Sequence, residues 1–440
     1  MIDHFSDDID RQTGVTSAQL LNMMMESQYW PPEQMLAYQR LQLCQLLIHA
    51  RNTTEFYKDR LAPVFDQKGN VDLARWQELP ILTRKDLQSH HDAMRSHAPI
   101  KNHGRVGTTS TSGSTGQNVK VDYTSLAIEV SMSAWTRFCS WHGVDLGDGF
   151  TQIRAYSPDG SLIKKGMVLA SSAQNNSQRI WIKRNLSTAR KLHYLRKSKT
   201  INFTDFSNHA ELLARQNLRS KDPVRFKAFI GYGMQITPQQ ETLINESFQA
   251  ITLSPYSSEE STLMACQCGD ERNNFHICSE LNIFEVLDEN NRPVPVGASG
   301  RVISTPLFSS AQPLIRYDQG DIVVRGPPCK CGRSLPVLSE IRGRKDAIFQ
   351  FPGKQVSMNR LDDDLVQKSL NADAYQFAQI APTQIVVRYV SPKKANDKEQ
   401  MAVRTHLLNM IKTKIEITFC RVKEIPTNAG GKPQRITREF

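Results

Sequence analysis

Between residues 109 and 117 the chain reads TSTSGSTGQ: the hydroxyl side chains of Thr109, Ser110, Thr111, Ser112, Ser114 and Thr115 are interleaved with Gly113 and Gly116. Glycine lets a backbone turn at positive φ and come close to a ligand, and hydroxyls and freed N–H groups then point at anionic oxygens. Such a loop suits phosphate. It is not the GxxxxGK[ST] loop of the P-loop NTPases, since the lysine is missing and the spacing differs. A flexible Ser/Gly linker has the same composition, so the choice between the two rests on what the rest of the chain carries.

Four distant segments answer to this loop. Pro255-Tyr256-Ser257-Ser258-Glu259-Glu260 follows a predicted strand, where α/β sheets place ligands. An aromatic ring stacks on a base, a hydroxyl bonds a phosphate, and a carboxylate holds Mg²⁺. Read locally, the same residues also make a helix start, with Ser257 or Ser258 as its cap. Arg316-Tyr317-Asp318-Gln319-Gly320-Asp321 is a tight turn ending in an aspartate at a strand start, suited to the hydroxyls of a ribose. Ile341-Arg342-Gly343-Arg344-Lys345-Asp346 lies where the composition changes, both a polar cluster and a candidate hinge. Gly430-Gly431-Lys432-Pro433-Gln434-Arg435 sets a lysine behind two glycines, where it can neutralise charge developing on a transferring phosphoryl group.

The pattern between these segments predicts the fold class. Residues 17–60 are helical, Thr83 caps a short helix, and residues 124–142 form a helix ended by Gly143. A strand at 226–230, a helix at 238–248 and a strand at 251–253 then argue for α/β units around a largely parallel sheet. Strands dominate from 281 to 326. After residue 346 a βαββαβ-like unit is expected: a strand at 348–351, a helix near 361–370, a strand pair including 384–390, a helix from 398 to 414 and a strand at 416–421. The expectation is a large N-terminal domain of sheets flanked by helices, residues 1–345, and a small C-terminal α+β, ferredoxin-like domain, residues 346–440. A length of 440 residues fits that division.

In this order and spacing the five segments resemble the adenylate-forming superfamily of acyl-CoA synthetases and adenylation domains, and within it the phenylacetate-CoA ligase-like branch. The resemblance implies ATP-dependent activation of a carboxylic acid as an acyl adenylate, followed by transfer to coenzyme A. It implies that Thr111, Ser112, Gly113, Ser114, Thr115 and Gly116 hold the β- and γ-phosphates of ATP. Tyr256 would face adenine, with Ser257 beside it, Ser258 would contact the α-phosphate, and Glu259 would bind Mg²⁺. Asp321 and Arg344 would hold the ribose, Asp346 would be the hinge of a mobile C-terminal domain, and Lys432 would bridge the substrate carboxylate and the α-phosphate. Two positions depart from the family pattern. Gln117 stands where a lysine often follows the loop, and Gly233-Met234-Gln235 stands where the branch usually has Gly-x-Glu.

Eight cysteines in a chain read as cytoplasmic do not predict a disulfide framework. Cys268, His276, Cys329 and Cys331 offer three thiolates and an imidazole, the donor set of a structural Zn²⁺ site, and members of the resembling branch often carry a C…H…CxC metal site. Buried core cysteines are the other reading, and Cys266 or Cys278 can stand in for Cys268.

The formal charge of +11 calls for an anionic partner. No nucleic-acid motif accompanies it, so a polyphosphate such as ATP or coenzyme A is expected, with the basic residues Lys183, Arg184, Arg190, Lys191, Arg196, Lys197 and Lys199 meeting the coenzyme A phosphate. An amine or a carrier-protein thiol is the alternative acyl acceptor, and a non-catalytic zinc-stabilised binding protein is the reading from another class. No apolar run approaches the roughly 20 residues needed to span a bilayer; no membrane association and a cytoplasmic location are expected. Trp135, Phe138, Trp141, Tyr232, Gly233 and Met234 are candidate lining residues for the acid, which favours an aryl acid. A homodimer stays open.

Overall fold

The structure, a computed structural model, describes residues 14–111, 119–154, 167–171, 178–184, 186–233, 236–345, 348–358, 363–425 and 435–440. Helices α1 (Ser17–Ser27) and α2 (Pro32–Thr53) lead the chain, and α3 (Arg84–Ser89) follows. α3 starts where the sequence has its cap: Thr83 accepts from the Asp86 N–H, and the Asp86 carboxylate accepts from the Thr83 N–H in return. Strands β1 (Val106–Thr111) and β2 (Val119–Thr124) bracket residues 112–118, and α4 (Ser125–Ser140) leaves β2 directly, capped by Thr124.

Strands and helices then alternate: β3 (Phe150–Arg154), β4 (Met167–Ser171), β5 (Gln178–Lys183), α5 (Thr188–Ser198), β6 (Asn202–Phe206), α6 (Ser207–Leu218), β7 (Ala228–Tyr232), α7 (Pro238–Phe248) and β8 (Ile251–Leu253). The sheet order is β4-β5-β3-β6-β7-β8, parallel apart from the antiparallel edge strand β4. Ile153, Ile180, Ile182, Phe203 and Phe229 bury one face against α5, α6 and α7. Ala228 and Ile230 face α4 on the other side, with Val130, Ala134 and Phe138. Burial on both faces explains the short continuous apolar runs in these strands.

Ser254 alone separates β8 from the next strand, so the chain changes sheet at one residue. Strands β9 (Pro255–Ser258), β10 (Thr262–Gln267), β11 (Phe275–Ile277), β12 (Asn282–Leu287), β13 (Ser299–Pro306), β14 (Tyr317–Arg325) and β15 (Val337–Arg344) take the order β12-β13-β14-β15-β11-β10-β9. The helix start read locally at 255–260 does not form. Antiparallel pairing of β9 with β10 gives that backbone its hydrogen-bond partners and overrides the local capping preference of the serines.

The chain divides into two units, one of residues 1–109, 120–318 and 324–340, the other of residues 110–119, 319–323 and 341–440. The smaller contains β16 (Ile348–Phe351), β17 (Lys354–Ser357), α8 (Asp363–Leu370), β18 (Ala374–Ala381), β19 (Gln384–Val390), α9 (Asp397–Ile411), β20 (Glu416–Arg421) and β21 (Ile436–Arg438). Its four-stranded sheet runs β20-β19-β18-β21. Phe377, Val387 and Tyr389 share one core with Val366 and Leu370 of α8 and with Val403, Leu407 and Ile411 of α9. The strand at 348–351 does not join this sheet as the βαββαβ pattern expects: it pairs with β17 as a hairpin, and β21 takes the fourth place, parallel to β18.

Candidate functional site

In the larger unit the turn between β9 and β10 carries two adjacent carboxylates. Ser258 Oγ accepts the Ser261 N–H at 3.0 Å, closing the turn, and Thr262 takes a left-handed φ of 54° to re-enter the sheet. Glu260 is held from two sides, by Arg84 Nη1 at 3.4 Å and by the Tyr317 hydroxyl at 3.2 Å. Among the described residues Glu259 takes one hydroxyl, Thr109 Oγ1 at 3.2 Å. It is exposed yet recessed: desolvation by the surrounding protein raises its carboxyl above the usual range, against the opposing pull of that hydrogen bond. A solvent-reachable carboxylate in such a place is suited to a cation.

The stem of the Ser/Gly loop is anchored beside this turn. Asp122 of β2, almost wholly buried, meets Arg95 Nε at 2.6 Å and accepts from Thr108 Oγ1 at 2.5 Å, and its N–H donates to Gln312 Oε1 at 2.9 Å. These contacts tie both strands of the hairpin at their base. Thr111 ends β1; Ser112, Gly113, Ser114, Thr115 and Gly116 lie outside the described residues, as do Met234, Asp346 and Lys432. Tyr256 is buried in β9 and lies edge-on to Phe284, ring centroids 6.5 Å apart. Ser257, beside it, pairs with Leu263 across the hairpin.

In the smaller unit Asp321 and Arg344 come together across β14 and β15, Arg344 Nη1 lying 4.0 Å from Asp321 Oδ1 and 2.5 Å from the Gln319 carbonyl. Gly320 makes this possible. Its φ is 71°, and a Cβ there would sit 2.9 Å from the Arg344 guanidinium.

A second cluster in the larger unit gathers Cys268, His276, Cys329 and Cys331, whose ligand atoms all lie within 4.8 Å of one another. His276 sits mid-strand in β11, Cys268 follows β10, and the other two precede β15, the strand that pairs with β11. The sulfurs of Cys268 and Cys329 are 3.8 Å apart, and Cys331 Sγ is 3.3 Å from His276 Nε2. A tetrahedral zinc with sulfur and nitrogen ligands has edges of about 3.5–3.8 Å, so the donor set and the spacing both fit. His276 Nδ1 approaches the Leu335 carbonyl at 3.4 Å, which turns Nε2 toward the sulfurs, and burial pushes the imidazole down to about 4, keeping it neutral. Burial works against a thiolate at Cys329, yet hydrogen bonds from the Cys331 backbone, Asn274, Cys331 and Cys268 outweigh it and bring the thiol below its ordinary value. Cys266 and Cys278 turn to each other instead, sulfurs 3.6 Å apart in the apolar core.

The candidate lining residues separate. Tyr232 ends β7, its hydroxyl donating to the Ile153 carbonyl at 3.4 Å and its ring 4.6 Å from that of Phe206. Gly233 follows at a φ of 74°, where a Cβ would fall 2.4 Å from the Phe206 ring. Phe138 is wholly buried in the core beneath α4 and has no face to offer, and half-buried Trp135 packs edge-on against it at 6.0 Å. Trp141 belongs to the cysteine cluster, 5.5 Å from the His276 ring, with the Arg333 guanidinium 4.6 Å above it. The basic stretch is likewise not one patch. Arg196 bonds the Asp222 carbonyl at 2.7 Å and Lys191 is buried in α5, whereas Arg184 stands at a strand end.

Two buried arginines escape a sequence reading because their partners are remote. Arg316, at a φ of 56°, donates to Glu285 and to the Trp76, Gln77 and Leu79 carbonyls, so it clamps the turn and does not face a ligand. Arg137 of α4 pairs with Glu280 at 2.6 Å, both wholly buried. The Thr109 bond to Glu259 also lacks a local signal, the two being 150 residues apart.

Among the described residues no helix is long and apolar enough to cross a membrane. No family profile matches the chain. A phenylacetate-coenzyme A ligase of Thermus thermophilus is 22% identical over 437 residues, covering 92% of this chain and 97% of that protein. Among solved structures, a 2-hydroxyisobutyryl-CoA ligase in its postadenylation state, in complex with R3-HIB-AMP, superposes with a TM-score of 0.66 at 18% identity, covering 98% of this chain and 91% of that one. An anthranilate CoA ligase in complex with anthranoyl-AMP gives 0.54 at 14% identity over 74% of this chain and 64% of that one. The chain has the fold of the adenylate-forming CoA ligases and is similar, almost from end to end, to a phenylacetate-coenzyme A ligase.

Proposed function

We propose that the protein is an AMP-forming acid–coenzyme A ligase. The acid's carboxylate attacks the α-phosphate of ATP, pyrophosphate leaves, and the coenzyme A thiol takes the acyl group from the adenylate, releasing AMP. Little covalent chemistry falls to side chains, so catalysis is positioning and charge neutralisation. The observation that carries this reading is Glu259: exposed, recessed and in no ion pair among the described residues, beside a turn whose other carboxylate is engaged by Arg84 and Tyr317. It is the group to hold Mg²⁺, which would screen the phosphate charge. Asp321 and Arg344 are assigned to the ribose, Tyr256 to adenine, Ser257, Ser258, Thr111 and the Ser/Gly loop to the phosphates, and Lys432 to the carboxylate and α-phosphate, with Asp346 as hinge. ATP–pyrophosphate exchange with a panel of acids tests the first half-reaction. Coenzyme A, amines and carrier-protein thiols, added in turn while AMP release is followed, identify the acceptor. Glu259→Gln should lower exchange by roughly 10²–10³-fold; full activity in that variant, or no exchange with any acid in the wild type, refutes the assignment.

Cys268, His276, Cys329 and Cys331 are assigned to a structural zinc, which would pin the segment after β10 to the one before β15 and take no part in catalysis. Elemental analysis should return one zinc per chain. Cys329→Ser combined with Cys331→Ser should remove it and lower the thermal midpoint by several degrees. A metal-free protein with an unchanged midpoint would leave these cysteines as core residues.

A further inference from the structure

The carboxyl edge of the parallel sheet is cationic on the face it shows to α4. Arg154 ends β3 and is in register with Lys183 at the end of β5, and the Arg184 N–H donates to the Arg154 carbonyl at 2.7 Å, so three basic residues leave adjoining strand ends. Alternation along the strands puts Arg154 on the same face as Gln152 and Trp181, and its guanidinium carbon lies 5.6 Å from the Trp181 ring centroid. The Arg184 guanidinium lies over Phe206, 4.6 Å from the ring centroid, and Phe206 in turn meets Tyr232. Among the described residues Arg184 Nε is buried without a hydrogen-bond acceptor, a costly state for a donor.

Among the described residues the neighbouring carboxylates do not satisfy these cations. Asp205 turns to the opposite face of β6, where it accepts from the Phe206 N–H at 2.8 Å and approaches His209 Nδ1 at 3.4 Å. Glu259 is within electrostatic reach of Arg154 but makes no ion pair with it among the described residues. The crevice outside the carboxyl ends of such a sheet is where α/β folds bind ligands.

We propose that Arg154 and Arg184 form a cationic end to the acid site, so that the preferred substrate is a dicarboxylic acid, one carboxylate being activated and the other held by the guanidiniums. This rests on the ligase reading above. The guanidinium fork matches a carboxylate in two parallel hydrogen bonds, and Arg184 is already oriented by its stacking on Phe206. Phe206 and Tyr232 supply apolar walls for the carbon chain between the two ends, and Gly233 keeps the wall thin, since any side chain there would collide with the Phe206 ring. Arg154 and Arg184 are specificity-determining, whereas Glu259 serves the reacting end.

Matched acids of equal length test this on the full chain: hexanoate against adipate, and 4-methylbenzoate against terephthalate. Affinity is read by calorimetry and thermal shift, which need no turnover, and kcat/KM by ATP–pyrophosphate exchange. The diacid should bind roughly ten- to hundredfold more tightly than its monoacid. Arg184→Gln and Arg154→Gln should each bring that ratio down toward one, and Arg184→Lys, which keeps the charge, should retain part of it. A wild type that prefers the monoacid, or a ratio unmoved in Arg184→Gln, overturns the proposal. If the substitutions instead raise the KM for coenzyme A and leave the acid ratio intact, the anion held is a coenzyme A phosphate and the proposal is again overturned. A binding ratio that holds without exchange from any acid sinks the ligase reading and leaves only a diacid-binding site; exchange that favours monoacids overturns the diacid proposal and leaves the ligase reading standing.

Discussion

Glu280→Ala lowers the thermal midpoint of the larger unit by roughly 6–20 °C, the shift expected when about 3–5 kcal/mol is lost from a unit of this size. The reason is the company Glu280 keeps. Its carboxylate faces Arg137 at 2.6 and 3.4 Å and accepts from Ser27 Oγ at 2.6 Å, while Arg137 also donates to the Met24 carbonyl at 2.9 Å. Burial works against the Arg137 charge, and the Glu280 carboxylate outweighs that burial and keeps the guanidinium ionised. Remove the carboxylate and, among the described residues, a fully buried cation remains with the Met24 carbonyl and the ring of Trp141, whose centroid lies 5.3 Å away. The pair as a whole is a different matter, because two charges taken out of water cost nearly what their attraction returns. Arg137→Met combined with Glu280→Leu should therefore recover most of the loss. Calorimetric midpoints for the single and double variants check both statements; single variants within 2 °C or so of wild type would mean that water reaches the pair. The consequence is architectural, since α1 is bound to α4 and to the segment before β12 through these atoms.

That pair also marks where sequence reading stops. Helix and strand positions with local causes were readable: Thr83 with Asp86 fixes a helix start, and the helix at Pro238–Phe248 and the strands at Asn282–Leu287 and Gln384–Val390 follow from periodicity and flanking turn residues. The Ser-Ser-Glu-Glu segment misled local reasoning because its backbone partners, residues 262–267, determine its conformation. In the site, Glu259 could be singled out from the residues and the family likeness. That Glu260 meets a cation while Glu259, among the described residues, meets a hydroxyl depends on Arg84, Tyr317 and Thr109, each at least 57 residues away. Arg154 gives no signal as a letter in a chain rich in basic residues, and Arg184 is legible only as one member of a basic stretch. Their meaning comes from standing at adjoining strand ends, which only the sheet order reveals.

Lys432→Ala should lower adenylate formation by roughly 10²–10³-fold while thioester formation from a supplied acyl adenylate persists. In the first half-reaction the attacking carboxylate and the α-phosphate are both negative, and charge grows on the bridging oxygen as pyrophosphate leaves. A cation between them is worth most at that moment, since the ground state has less charge to stabilise. In the second half-reaction the phosphate is already a leaving group bearing one ester charge, and the attacking thiolate gains little from the same lysine. The defect should therefore lie in kcat for exchange, with the KM for the acid moving less, and it should be absent when the acyl adenylate is presented directly with coenzyme A. Lys432→Arg keeps the charge on a wider, planar head and should restore only part of the rate. Equal loss in both half-reactions would mean that the lysine acts through folding of the smaller unit, and a thermal midpoint measured on the same preparation separates that outcome from a chemical one. A variant that exchanges pyrophosphate at the wild-type rate would remove Lys432 from the mechanism altogether, leaving Glu259 and the Ser/Gly loop to carry the charge.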